Sequence, residues 1–173
     1  MDQEQLAQPQ YPRRGQVIRN FALLSAAGHQ VQLSDYRGRA NLVLVLAGGE
    51  CGENGFALLD ELAVRQAQIL EEEAQVIAVL ACAREPAQAI KSRRHWPFVV
   101  LADSEAAVHR SLGALDGRGS PHLAVYVTDR YGEVFTVFRT AQGEPTLTAS
   151  EILGWLEFVN RQCPECFPPE WPA

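Results

Sequence analysis

Asn41-Leu-Val-Leu-Val-Leu46 runs into Gly48-Gly49 and then Glu50-Cys51-Gly52-Glu53-Asn54-Gly55, after which Phe56, Leu59, Leu62, Ala63, Ile69 and Leu70 recur at helical spacing. The apolar run is too short to span a membrane and stops at a pair of chain breakers, which reads as a strand buried on both faces. The periodic residues beyond it read as an amphipathic helix from about Asn54 to Glu73, with Asn54 at the N-cap position. A buried strand thus ends in a short turn that carries one cysteine, and a helix leaves that turn. In open α/β sheets, sites form at the carboxyl ends of strands. A thiol beside a helix N-terminus also lies where backbone N–H groups favour the thiolate. This turn is the first place to look for chemistry.

The remaining elements follow from pattern. Residues 1–14 are polar and include Pro9 and Pro12, an arm that is flexible or loosely docked. Phe21 to Leu24 and Val31 to Leu33, joined through Ala26-Ala-Gly-His29, form an N-terminal β-hairpin. Gln75 to Ala81 is a second buried strand, and the long helix before it implies a parallel crossover. A weaker helix covers Glu85 to His95, with Pro97 helping to end it. Phe98 to Leu101 is a short strand, and Asp103-Ser104 cap a helix reaching about Leu112. His122 to Thr128 and Val134 to Arg139 form a closing hairpin through Asp129-Arg-Tyr-Gly132. Thr148-Ala-Ser-Glu151 is a capping box that opens a last helix to Gln162. The order is parallel α/β first and an antiparallel pair last. Three segments result: an arm at 1–14, a folded domain at 15–162 and a Cys-Pro-Glu-Cys tail at 163–173.

Composition narrows the function classes. A chain of 173 residues with 47% apolar content is most simply one globular domain. A net charge of −6 leaves no basic excess to neutralise phosphates, which argues against nucleic acid as a partner. No apolar run approaches a membrane span, and Met1 to Gln10 shows neither a basic nor an apolar leader region. The expectation is a cytoplasmic protein that uses neither membrane nor nucleic acid. Four cysteines are too few for a disulfide scaffold.

Taken together, several stretches resemble the thioredoxin-like superfamily, most closely its peroxiredoxin branch (alkyl hydroperoxide reductase/thiol-specific antioxidant). They are Gly15 to Leu23 with Gly28 and Val31 to Gly38, the strand Asn41 to Leu46, Val76 to Leu80, Trp96 to Asp103, and Tyr126 to Asp129 with Tyr131-Gly132. The resemblance spans roughly residues 15–160. It implies a thioredoxin-like α/β fold, with a central mixed sheet flanked by helices and an N-terminal β-hairpin. It further implies a thiol-dependent oxidoreductase acting on a peroxide or a disulfide, an antioxidant activity that needs no cofactor. The branch carries Pro-x-x-x-Thr-x-x-Cys after the central strand. In that register Cys51 stands at the threonine and Asn54 at the reactive cysteine. Against the thioredoxins, Cys51-Gly52-Glu53-Asn54 is a Cys-x-x-Cys with its second cysteine replaced. The branch's arginine, counted back from Asp129, falls on Leu123. Ser120-Pro121 resembles the superfamily's cis-proline loop, which packs against the active-site turn.

Cys51 is therefore the candidate nucleophile, with Gly52, Glu53, Asn54, Ser120 and Pro121 forming its turn. The helix N-terminus lowers its pKa while Glu50 and Glu53 raise it, so a cation such as Arg118 would decide the sign. Cys163 and Cys166 are candidates for resolving Cys51 from the same subunit or from the partner in a homodimer. Their spacing equally fits a structural disulfide or half of a zinc knuckle. No second Cys-x-x-Cys or paired histidines complete a zinc site, so no metal is assigned. Cys82, at a strand end, reads as a packed small hydrophobe. His29, His95, His109 and His122 show no ligand spacing. Two other readings stand beside the enzyme: a catalytically silent thioredoxin-fold module that binds a protein, and disulfide exchange through the C-terminal cysteine pair. The thiol reductant or partner protein is left open.

Overall fold

The computed structural model describes residues 11–49 and 53–162. Seven strands form one sheet in the order β2-β1-β5-β4-β3-β6-β7. They are β1 (Ala22–Ser25), β2 (Gln30–Gln32), β3 (Asn41–Gly48), β4 (Ala74–Ala81), β5 (Val99–Ala102), β6 (Ala124–Thr128) and β7 (Val134–Arg139). β3 pairs in parallel with β4 over eight residues, from Asn41↔Ala74 to Gly48↔Ala81. β4 pairs in parallel with β5, whereas β6 runs antiparallel to β3 and β7 antiparallel to β6. The sheet is mixed and flanked by helices, the thioredoxin-like α/β architecture expected from the sequence.

Each face of the sheet has its own core. One packs Val43, Val45, Ala47, Val76, Ala78, Leu80, Val125 and Val127 against α1 (Glu53–Val64), α2 (Gln66–Glu71), α3 (Arg84–Arg94) and α5 (Ala149–Asn160). The other packs Leu42, Leu44, Leu46, Ile77, Val79, Leu101 and Tyr126 against Val108 of α4 (Ala107–Ser111) and Leu112 just after it. Alternate residues of β3 thus serve opposite faces, and both faces are covered. This explains why its sequence is continuously apolar.

Three expectations are corrected in detail. The helix read as 54–73 is two helices, broken at Arg65, whose backbone (φ −97°, ψ 14°) leaves the helical region. Asn54 lies inside α1, which starts at Glu53, and so is not its N-cap. The helix after β5 is shorter than expected, because Ala106 at φ 54° interrupts it and α4 begins only at Ala107. The capping box at α5 forms as read: Thr148 accepts a bond from the Glu151 N–H, and the Glu151 carboxylate accepts the Thr148 N–H at 2.8 Å.

The last residues of the arm are attached. Arg139 Nη1 donates to the Pro12 carbonyl at 3.2 Å and its guanidinium lies over the Tyr11 ring, while Arg14 lies over Trp155. No described helix is long and apolar enough to cross a membrane.

Candidate functional site

Cys51 and Gly52 lie outside the described residues, as do Cys163 and Cys166 and the side chains of Glu53 and Asn54. The base from which the chain runs on to Cys51 is described, and the three residues Ala47, Gly48 and Gly49 define it.

Each of the three is held closely by a different element. A Cβ built on Gly55, in the first turn of α1, would fall 2.8 Å from the Ala47 Cβ and 3.5 Å from Leu123 Cδ1. Only glycine lets the helix start approach the strand this closely. A Cβ on Gly48 would meet Pro121 Cβ at an ordinary 3.7 Å, so the Ser120-Pro121 segment packs on the strand end. A Cβ on Gly49 would lie 2.5 Å from Cys82 Cβ and 3.0 Å from its Sγ. Cys82, read from sequence as core filler, is partly buried against the first core and also forms one wall of this base.

The Ser120-Pro121 bond is trans, since no cis peptide occurs among the described residues, and the expected cis-proline is corrected. The turn around it is built differently. Asp116 Oδ1 accepts the N–H groups of Arg118 and Ser120, both at 2.8 Å, and Gly119 takes φ +80°. The chain direction is reversed by that Asx-type turn, so proline keeps its ordinary isomer. These backbone bonds, with His122 beside it at 3.3 Å, hold the Asp116 carboxyl below the usual range. Arg118 therefore sits in an exposed turn adjoining the base. Leu123 is buried and touches the start of α1, an apolar contact where the resemblance expects an arginine.

Sequence reasoning passed over the most polar feature of the base. His109 is fully buried, with Nδ1 2.8 Å from Asp103 Oδ2 and Nε2 3.1 Å from the Ala47 carbonyl oxygen. Asp103 is buried as well, and its carboxylate accepts the backbone N–H groups of Ala107 (3.0 Å) and His109 (2.9 Å). Burial alone would raise the Asp103 pKa. The hydrogen bonds and charge of His109, with the Ala107 N–H, overcome it and hold the carboxyl below its ordinary value. A carbonyl oxygen only accepts, so the contact to Ala47 is a hydrogen bond in which Nε2 donates. The sequence signal was faint: a histidine six residues after a strand-end aspartate, with no motif around it.

Comparison with known proteins places this geometry. The model of the AhpC/TSA family matches residues 14–137, most of the chain. The chain belongs to the AhpC/TSA family. No curated protein matches it significantly in sequence. Among solved structures it is similar to peroxidoxin BcpB from Mycobacterium tuberculosis, at 16% identity and a TM-score of 0.76, covering 86% of this chain and 99% of that one. It is likewise similar to AhpC of Enterococcus faecalis, at 15% identity and a TM-score of 0.76, covering 94% and 99%. A reduced 2-Cys peroxiredoxin from Plasmodium vivax gives 13% identity and a TM-score of 0.74 over 85% and 96%. At these identities the likeness is one of fold. The family membership rests on the sequence match, and the expected resemblance is confirmed at that level.

Among the described residues no group of three or more His, Cys, Asp or Glu side chains gathers as metal ligands would.

Proposed function

We propose that this AhpC/TSA-family chain is a thiol-dependent oxidoreductase in which Cys51 is the nucleophile and a hydroperoxide the oxidant. The observation that carries the reading is the tightly held strand end Ala47–Gly49, which sits beneath the start of α1 and stands two residues before Cys51 in sequence. A helix N-terminus near a thiol favours the thiolate. In the proposed cycle the Cys51 thiolate attacks one peroxide oxygen. An S–O bond forms, the O–O bond breaks, and the leaving alkoxide or hydroxide takes a proton to depart as alcohol or water. A second thiol then attacks the resulting sulfenic sulfur, forming a disulfide and releasing water, and an external dithiol supplies two electrons to restore both thiols. Cys163 or Cys166, of the same or a second copy, is the proposed resolving thiol. The wall that Cys82 makes against Gly49 favours Cys82 as the alternative. A disulfide substrate would instead give a mixed disulfide on Cys51.

The test is peroxide consumption by the full chain with dithiothreitol as reductant. Cys51→Ser is expected to abolish turnover. Replacing the resolving cysteine is expected to leave a sulfenic acid that dimedone captures, and mass spectrometry of the oxidised protein identifies the disulfide. Wild-type rates in Cys51→Ser would overturn the reading.

Asn54 and Leu123, standing where the resemblance expects the reactive cysteine and the arginine, favour a second reading as a silent protein-binding module. Alkylation of Cys51 no faster than in the denatured chain would select it. Disulfide exchange through the tail pair predicts that truncation after Gln162 abolishes reductase activity while sparing the fold.

A further inference from the structure

Two consecutive glycines are the most permissive pair of backbone units a chain can place before a catalytic turn. Here Gly48 is the last residue of β3, paired with Ala81, and Gly49 follows it before Glu50-Cys51, so the contacts that hold this strand end set how much of that freedom is left ahead of Cys51. Van der Waals walls limit where these glycines can move but do not fix a peptide plane. A hydrogen bond to the carbonyl does. The Ala47 carbonyl belongs to the same planar unit as the Gly48 N–H, so fixing that oxygen orients the entire unit.

We infer that His109, held in place by Asp103, is a positioning residue for Cys51, acting through its hydrogen bond to the Ala47 carbonyl. The inference rests on the reading of Cys51 given above. Three observations support it. The ring is wholly buried and meets the carbonyl at the end of the strand that precedes Cys51 in sequence. The same Asp103 carboxylate that orients Nδ1 also accepts the Ala107 and His109 N–H groups, so one group sets both the ring and the short helix that carries it. And a buried imidazole, which costs stability unless bonded, spends its second nitrogen on this carbonyl.

Two isosteric variants separate the contacts. The side-chain amide of His109→Gln reaches the Nε2 position and can still donate to Ala47. That of His109→Asn reaches only the Nδ1 position and keeps Asp103 alone. The readouts are the alkylation rate of Cys51 by iodoacetamide at neutral pH and hydrogen exchange at the Gly48 and Gly49 amides. His109→Asn should slow alkylation by about tenfold, the worth of one hydrogen bond, and speed exchange at both glycines. His109→Gln should restore both toward wild type. If Asn behaves as wild type, or if Gln and Asn are equally impaired, the positioning role is wrong. If wild-type Cys51 itself alkylates only as fast as an unfolded cysteine, the reading of Cys51 fails, and the exchange measurement still decides whether His109 orders the strand end. His109→Gln gives up the side-chain contact to Asp103 and His109→Asn the contact to Ala47, and thermal melts verify that each is folded.

Discussion

The two faces of the sheet are built on different principles. The face under α1, α2, α3 and α5 is closed by aliphatic and aromatic side chains, with Phe56, Trp96 and Phe98 packed ring against ring. The face under α4 is smaller and buries ionisable groups: the His109–Asp103 pair, and Arg139 beside Tyr126. Tyr126 donates to the Leu112 carbonyl at 2.7 Å, and burial drives its pKa up to about 12 against the lowering effect of Arg139. The first face is held mainly by buried apolar area, with the Trp96 Nε1–Asp60 bond at its edge. The other adds directional bonds, and one of them, from His109 to the Ala47 carbonyl, ends on the strand tip that precedes Cys51 in sequence. Non-directional burial tolerates small displacements that a hydrogen-bonded carbonyl does not.

The largest expected effect breaks the first face. Leu62→Ala removes a fully buried side chain and should cost about 2–5 kcal/mol, read as a lower denaturation midpoint with an unchanged m-value. Next, Gly55→Ala places a methyl 2.8 Å from Ala47, and the overpacking should cost about 1–3 kcal/mol. That substitution also displaces the base, so Cys51 alkylation should change in Gly55→Ala but not in Leu62→Ala at matched folded fraction. On the second face, Tyr126→Phe leaves the Leu112 carbonyl and Arg139 Nη1 each short of a partner, for about 1–3 kcal/mol. Spectrophotometric titration should show one tyrosine in the native protein ionising only near pH 12 and absent from the variant.

A fourth prediction concerns acid. The folded-state pKa of Asp103 is depressed, so the unfolded chain takes up this proton first as pH falls. Its stabilisation is therefore complete above the unfolded value of about 3.9 and disappears as pH falls through the lower folded value. Between neutral pH and pH 3, wild type should lose stability more steeply than Asp103→Asn, measured as urea midpoints. Parallel curves would remove Asp103 from the account. The smallest effect is at the far helix, where Thr148→Ala should cost about 1 kcal/mol through the lost cap and leave Cys51 reactivity unchanged.

The sequence by itself determined the architecture. Each strand and helix is a local pattern: a continuous apolar run for β3 and β4, a 3.6-residue period for α1 and α5, a capping box at Thr148 and a turn at Asp129 to Gly132. Such patterns persist in the chain whatever surrounds them. It also marked where Cys51 falls, between β3 and α1, because a glycine pair between a buried strand and a helix is legible as spacing. The tertiary structure alone decided what surrounds the strand end before Cys51. Ala47 meets His109, 62 positions away, Gly49 meets Cys82, and Gly48 meets a trans Pro121 held by the Asp116 turn. These contacts follow from the strand order and from close backbone approach, and neither is written in the spacing of residues along one segment. A buried histidine looks like any other in sequence, and its role is set by which acceptors the fold brings to its two nitrogens.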